Sequence, residues 1–361
     1  MPGFNPLNEK LKKQYEDALL HGRHRERRTV DAAWKAINLF ETFTGRQPFT
    51  TFSTDQAKGF KTWLAKQENE KGEPLSLSTV RATLSNVRDF FLWLVIHPQF
   101  SRKMDGRATE FLRLSTNDDR AGRASKPRTA PTVEQVRQAL LGMPNATMID
   151  KRNRALMAFT ALTVVRDAAL ISLKLGDVDV EKRTVWQDPK HVKTKFRKGI
   201  LTAFMPVDLL WEEIVLDWIS HARQAGMEDD DPLFPSTAVS NNAETLCLEV
   251  VGLSRQHWSN ANPVRVIFKE AFKAAGLPYF HPHTFRNMLA VWGMEHCTQL
   301  EYKALSQNMG HEHAMTTYNA YGFLMPEKQV QLVHAIGKGK TELGQITTTE
   351  LLSEVARRAQ D

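Results

Sequence analysis

The chain has 361 residues, of which 42% are hydrophobic, with a formal net charge of +7 and two cysteines. That length is long for one domain and comfortable for two. No apolar run is long enough to span a bilayer, the opening MPGFNPLNEKLKK lacks the apolar stretch of a secretory signal, and Cys247 and Cys297 form neither a metal motif nor a disulfide framework. The expectation is a cytoplasmic protein with reduced thiols. The charge is uneven. Residues 1–130 carry 23 Lys and Arg against 15 Asp and Glu, a net of +8, and the remainder carries 25 against 26, a net of −1. A basic first part suits contact with a polyanion, although ordinary solubility explains the charge equally well.

In chain order, residues 8–21 read as a helix. Residues 29–44 form a second, with Ala33, Ile37 and Phe40 on one face, Trp34 beside them and Gly45 as its stop. Thr54 is the expected cap of a third, edged by Phe60, Trp63 and Leu64. Ser78 opens a fourth, with Val80, Leu84, Val87, Phe91 and Leu94 in helical period. The aromatic residues of DFFLWLV read as core rather than as a base-stacking surface. Arg81 and Arg88 lie on the polar side of that helix as candidate phosphate contacts. Residues 1–117 are therefore expected to form a small helical domain. The run 118–131, rich in small residues, proline and positive charge, reads as a basic linker. Within it, Lys126 and Arg128 are further DNA-contact candidates.

A second domain is expected over 132–335. Thr132 can cap its first helix, and MIDKRNRALMAFTALTVV reads as a buried one. TVWQD and ILTAFMPV look like strands around the basic turn PKHVKTKFRKG. Residues 231–260 lack a clean period and are expected to be loop with short elements. The fold class expected is mainly α with a small β-sheet: an N-terminal helical domain and a C-terminal α+β domain. In the tail, 336–361, Thr347 and Glu350 can form a capping box, with Leu351, Leu352 and Val355 as an apolar strip that docks on a neighbour or on its own domain.

A polar set is spread over the second half. Arg166 follows an apolar helix, and its planar fork fits two phosphate oxygens or a structural carboxylate. Lys193 and Lys195 lie in the basic turn on one side of an extended segment, and pattern alone does not choose between them. In HPHTFRN, Pro282 suits a helix start, and His283 and Arg286 share a face if helical. MGHEHAMTTYNAYGFLMP supplies His311, Tyr318 and Tyr321. The spacing of His311 and His313 could ligate a metal in a strand, but a third ligand is not evident. Together these groups suit phosphodiester chemistry. Two arginines stabilise charge on nonbridging oxygens, a tyrosine attacks phosphorus, and a lysine or histidine moves a proton, so no metal or cofactor is required.

In their order and spacing, VVRDAALISLKLGDVD, HVKTKFRKG, HPHTFRN and MGHEHAMTTYNAYGF resemble the tyrosine recombinase family, the phage-type integrases, over residues 8–335. The resemblance implies Arg166, Lys193, His283, Arg286 and His311 as catalytic residues and Tyr321 as nucleophile. It also implies a core-binding role for the first domain. Four departures stand out. Val164-Val165 replaces the usual glycine-leucine, Ala169 the usual glutamate and Asn287 the usual histidine. Tyr321 follows His311 by ten residues, where nine is commoner. The implied activity is integration or excision of a mobile element at specific duplex DNA sites. The protein would then be nucleoid-associated and act as a homo-tetramer assembled from monomers, with accessory directionality or DNA-bending proteins. The alternatives are a type IB-like topoisomerase, a noncatalytic sequence-specific DNA-binding protein and a basic helical scaffold.

Overall fold

The computed structural model describes residues 5–101, 104–123, 129–241, 248–311, 315–317, 329–330 and 333–334. The chain divides into two compact units, Met1–Lys126 and Pro127–Asp361, each with its own apolar core. The fold is mainly helical with small antiparallel sheets, as the sequence pattern leads one to expect.

The first unit contains α1 (Pro6–Asp17), α2 (Arg27–Phe43), α3 (Thr54–Leu64), α4 (Leu77–Val95) and α5 (Thr116–Arg123). Ser53 and Ser76, rather than Thr54 and Ser78, cap α3 and α4. Each is the last extended residue before its helix, where its hydroxyl meets a free N–H. Gly45 has φ +63°, just beyond the end of α2. All five apolar residues anticipated on α4 are buried, as are Ala33, Ile37, Phe40, Phe60 and Leu64. Phe91 stacks on Phe52 with ring centroids 3.7 Å apart and meets Phe40 edge-on, so this aromatic run is core. One buried ion pair, Lys12 Nζ to Glu41 Oε2 at 2.8 Å, ties α1 to α2, and Asn8 Nδ2 donates to the other carboxylate oxygen. Such a pair persists because its remaining hydrogen-bonding capacity is filled.

Helix α5 occupies 118–123, the first part of the stretch expected as linker. Ser115 accounts for this. Its hydroxyl accepts from the N–H of Asp118, and Asp118 and Asp119 add negative charge to the first helical turn. Lys126 and Arg128 lie outside the described residues.

The second unit begins with α6 (Val133–Gly142), α7 (Met148–Thr163) and the single turn α8 (Asp167–Leu170). Strands β1 (Val178–Asp179), β2 (Thr184–Gln187) and β3 (Ile200–Ala203) follow, then α9 (Leu209–Gln224). Thr132 and Gln135 form a reciprocal cap on α6. Every residue of α7 from Leu156 to Leu162 is buried, so this helix is the centre of the core. The β1-β2-β3 sheet is antiparallel, with Val185 opposite Thr202 and Gln187 opposite Ile200. Next come β4 (Thr237–Asn241) and β5 (Leu248–Leu253), then α10 (Asn262–Ala274), α11 (Phe285–His296) and α12 (Gln299–Asn308).

The β4-β5 hairpin lies where loop with short elements was expected. Its valines give no half-buried alternation: Val239, Val250 and Val251 are all exposed, and the register shifts between Ala238 and Val239. What fixes its base is nonlocal. Buried Arg152 on α7 donates to the carbonyl of Pro235 and to Thr237 Oγ1, and lies over the Trp258 ring. Burial lowers its pKa to about 10. Among the described residues no helix is long and apolar enough to cross a membrane.

Candidate active site

The site begins where α7 stops. Val164 caps that helix in the left-handed region, with φ +44° and ψ +32°, and turns the chain so that Arg166 becomes the residue preceding α8. A β-branched residue is strained there, whereas glycine is not. This explains why the family resemblance leads one to expect glycine at this position. The strain is held by a partner from far along the chain: Arg286, on the first turn of α11, donates from Nη1 to the Val164 carbonyl.

Arg286 is 2% exposed. Its Nη2 also donates to the carbonyl of Met309 at 2.6 Å, so one guanidinium joins the ends of α7 and α12. His311 stands beside it. The Nε2 atom of His311 is 3.4 Å from Arg286 Nη2 and 3.5 Å from Arg166 Nη2. The structure thus gathers three residues drawn from positions 166, 286 and 311 around one point.

Two devices deliver His311. A reciprocal cap, Thr298 with Glu301, starts α12. At its other end Gly310 adopts φ +74°, and the N–H of His311 reaches back to the Ser306 carbonyl at 3.1 Å. Asn308 then pins this end to β3. Its side chain accepts from the N–H of Ala203 at 2.6 Å and donates to the Ala203 carbonyl at 2.9 Å. Sequence reading passed over Asn308, because its partner lies 105 positions away.

Gly310 is also a close approach. A Cβ there would meet Ile200 Cδ1 at 2.8 Å and Arg166 Nη1 at 3.7 Å. Gly310→Ala is expected to cost about 1–2 kcal/mol of stability, mainly through its positive φ, and to displace His311. Denaturant unfolding checks the first effect. An unchanged midpoint would contradict it.

The state of His311 follows from its neighbours. Arginine nitrogens donate only, so Nε2, facing two of them, is the acceptor. Nδ1 carries the proton and donates to Thr317 Oγ1 at 2.8 Å, and Thr317 in turn donates to Ser306 Oγ at 2.7 Å. Burial, then the charges of Arg286, Arg166 and Lys195, push the His311 pKa down to about 4. The imidazole is therefore neutral at pH 7.

The basic segment between β2 and β3 contains the short turn Lys195–Arg197. Lys193 and Lys195 are both exposed. The charge reaching His311 from this segment is that of Lys195, whereas Lys193 acts on His257. The backbone N–H of Lys193 donates to Ser172 Oγ at 2.9 Å, and His191 pairs with Asp177 at 2.9 Å, so the segment is tied to the chain that follows Arg166. His283 lies on the single turn Pro282–Thr284, with proline at its start as expected, immediately before α11. It is half-buried, and its N–H donates to His281 Nδ1 at 3.1 Å. Tyr318, Tyr321, His313 and the tail 336–361 lie outside the described residues. Among the described residues there is no cluster of three or more His, Cys, Asp or Glu that could hold a metal.

In the first unit Arg81 and Arg88 are partly buried, and Arg81 pairs with Asp119 at 2.7 Å.

Several solved structures share this fold. One is a lambda integrase dimer bound to a COC′ core site: 13% identity, 86% of this chain and 93% of that chain covered, TM-score 0.54. A lambda integrase tetramer bound to a Holliday junction has 15% identity, with 85% and 77% covered and a TM-score of 0.53. The Tn1549 transposon integrase in complex with circular intermediate DNA also has 15% identity, with 91% and 99% covered and a TM-score of 0.53. No curated protein matches. The model of the phage integrase family matches residues 132–327, which hold Arg166, Arg286 and His311 and make up more than half of the sequence; the chain belongs to that family.

Proposed function

We propose that the chain is a site-specific recombinase that cuts and rejoins duplex DNA through a covalent 3′-phosphotyrosyl link, integrating or excising a mobile element. The observation that carries this reading is the convergence of Arg166, Arg286 and His311 on one point. Two fixed guanidinium groups suit the nonbridging oxygens of a phosphodiester, whose negative charge grows as phosphorus becomes five-coordinate. His311 adds a nitrogen that would bond to the same phosphate, and His283 adds another within the family pattern.

In this reading Tyr321 Oη gives up its phenolic proton to solvent or a neighbouring base and attacks phosphorus, a P–O bond forms, and the bond to the 5′ oxygen breaks. The departing 5′ oxygen takes a proton from the basic segment between β2 and β3. Lys193 has that role by resemblance, and Lys195 is supported by its charge at His311. The reverse reaction, with a new 5′ hydroxyl as attacker, rejoins the strand. DNA-bound dimers and a tetramer among the similar structures support a duplex DNA partner and a tetrameric synapse.

The test is a suicide substrate, built from DNA flanking the gene, that traps the covalent link. A protein–DNA adduct is expected from the parent chain and from Tyr318→Phe, and none from Tyr321→Phe. Loss with Tyr318→Phe alone would move the nucleophile. No adduct on DNA that the protein demonstrably binds would leave a noncatalytic DNA-binding protein. Supercoil relaxation without paired sites would point to topoisomerase chemistry. Lys193→Ala and Lys195→Ala, compared on substrates with a 5′-bridging sulfur, identify the proton donor. A sulfur leaving group needs no proton, so the variant that sulfur rescues is the donor.

A further inference from the structure

The first unit holds a second concentration of guanidinium groups. On α4, Arg81, Ser85 and Arg88 form one stripe, and with Arg113 and Asp119 they line a cavity of about 310 Å³. Three arginines there face one carboxylate. Arg81 Nε is bonded to Asp119 Oδ1 at 2.7 Å. Arg88 is incompletely paired. Among the described residues its buried Nε has no hydrogen-bond partner, and its Nη2 meets the adjacent Asp89 at 3.4 Å. A buried guanidinium N–H without an acceptor is costly unless a ligand supplies one.

Asp119 is brought to this cavity by close helix packing. A Cβ at Gly122 would lie 3.2 Å from the Leu77 carbonyl, so the end of α5 rests against the start of α4. The Asp119 carboxylate occupies one edge of the Arg81 fork, where a phosphate oxygen would also bind.

We propose that this notch binds a phosphate of the DNA backbone and that Asp119 is its resident competitor, holding Arg81 until a phosphate displaces it. The proposal rests on the DNA-binding reading above. To the phosphate contacts expected at Arg81 and Arg88 it adds a carboxylate that competes for Arg81 and weakens binding there. Because Asp119 belongs to α5, exchange of partners at Arg81 would break the ion pair that links that helix to α4.

The experiment uses the full chain and a fluorescent duplex of arbitrary sequence, with affinity measured against salt concentration. Asp119→Asn is expected to bind up to about five-fold more tightly, the scale of a partly exposed ion pair. It should have no such effect in an Arg81→Gln background. Arg88→Gln is expected to reduce the slope of log affinity against log salt by about 0.9, the value of one lost phosphate contact. Arg107→Gln, an exposed arginine outside the notch, should leave that slope unchanged.

An unchanged slope in Arg88→Gln overturns the notch, and this variant leaves the α5 contact untouched. Weaker or equal binding by Asp119→Asn, with an unaltered unfolding midpoint, overturns the competitor role. If Arg88→Gln loses binding of inorganic phosphate but keeps the parent slope, the notch is a free-anion site and the proposal fails. If the parent chain binds no duplex at low salt, the DNA reading and this proposal fall together. If it binds or forms adducts while these variants behave as the parent does, only the notch falls.

Discussion

Replacing Arg286 with alanine is expected to abolish DNA cleavage and to remove about 2–4 kcal/mol of stability. The guanidinium is almost wholly buried and bonds to two carbonyls, those of Val164 and Met309. Each charge-assisted bond is worth about 1.5–3 kcal/mol, and the carbonyls left behind would be buried without donors. The loss should be more than local, because Arg286 restrains Val164 in its left-handed conformation and holds the end of α12 that carries His311. Arg286→Lys separates the two roles. It keeps the positive charge but cannot span both carbonyls and a phosphate with one planar group. We expect it to recover part of the stability while cleavage remains about 10²–10³-fold down. Denaturant unfolding and single-turnover cleavage on one protein preparation measure both. A lysine variant that cleaves at the parent rate would show that charge alone suffices and that the fork geometry does not matter.

Parts of this arrangement can be read from the sequence, and the reasons are local. The helices of the first unit declare themselves by apolar period and by serine, threonine and glycine at their ends. Thr132 with Gln135 is a cap within four residues. Arg166 and Arg286 are recognisable only as members of an ordered set, since either alone could be a structural arginine. The parts not legible depend on distant pairings. Asn308 looks like an ordinary polar helix residue until β3 is placed beside it. The β4-β5 hairpin has exposed valines and no alternation, and its anchor, Arg152, sits on a helix more than eighty residues earlier. Val164 looked like a departure from the family pattern. The structure gives the physical reason for the usual glycine and names the bond that lets valine stand there. Lys193 and Lys195 remain two exposed lysines of similar chemistry two positions apart on one segment, so only kinetics with a changed leaving group separates them.

Binding of DNA between pH about 4 and 6.5 is expected to take up a proton at His311, so affinity should rise as pH falls through that range. In the free protein the ring is held neutral, with its pKa pushed down to about 4 by burial and by three nearby cations. For folding alone the sign is unfavourable in acid. Above the ordinary value near 6.5 neither the folded nor the unfolded ring binds a proton; below it the unfolded ring does and the folded ring does not, until pH falls to about 4. Stability is therefore lost across that window. Solvent reaches the half-buried ring and screens the charges, so the loss should be about 1–2 kcal/mol. A phosphate seated between Arg166 and Arg286 reverses the electrostatics. It supplies negative charge and gives Nε2 an acceptor beside the two guanidinium donors, so it favours the imidazolium. Calorimetry at pH 5.5 in buffers of different ionisation enthalpy counts the protons taken up on binding, and His311→Gln should lower that count relative to the parent chain. An identical count in both would mean that His311 stays neutral against the phosphate and donates only after moving its proton from Nδ1 to Nε2. That shift would make Nδ1 an acceptor, so the Thr317 hydroxyl would turn from Ser306 and donate to Nδ1 instead.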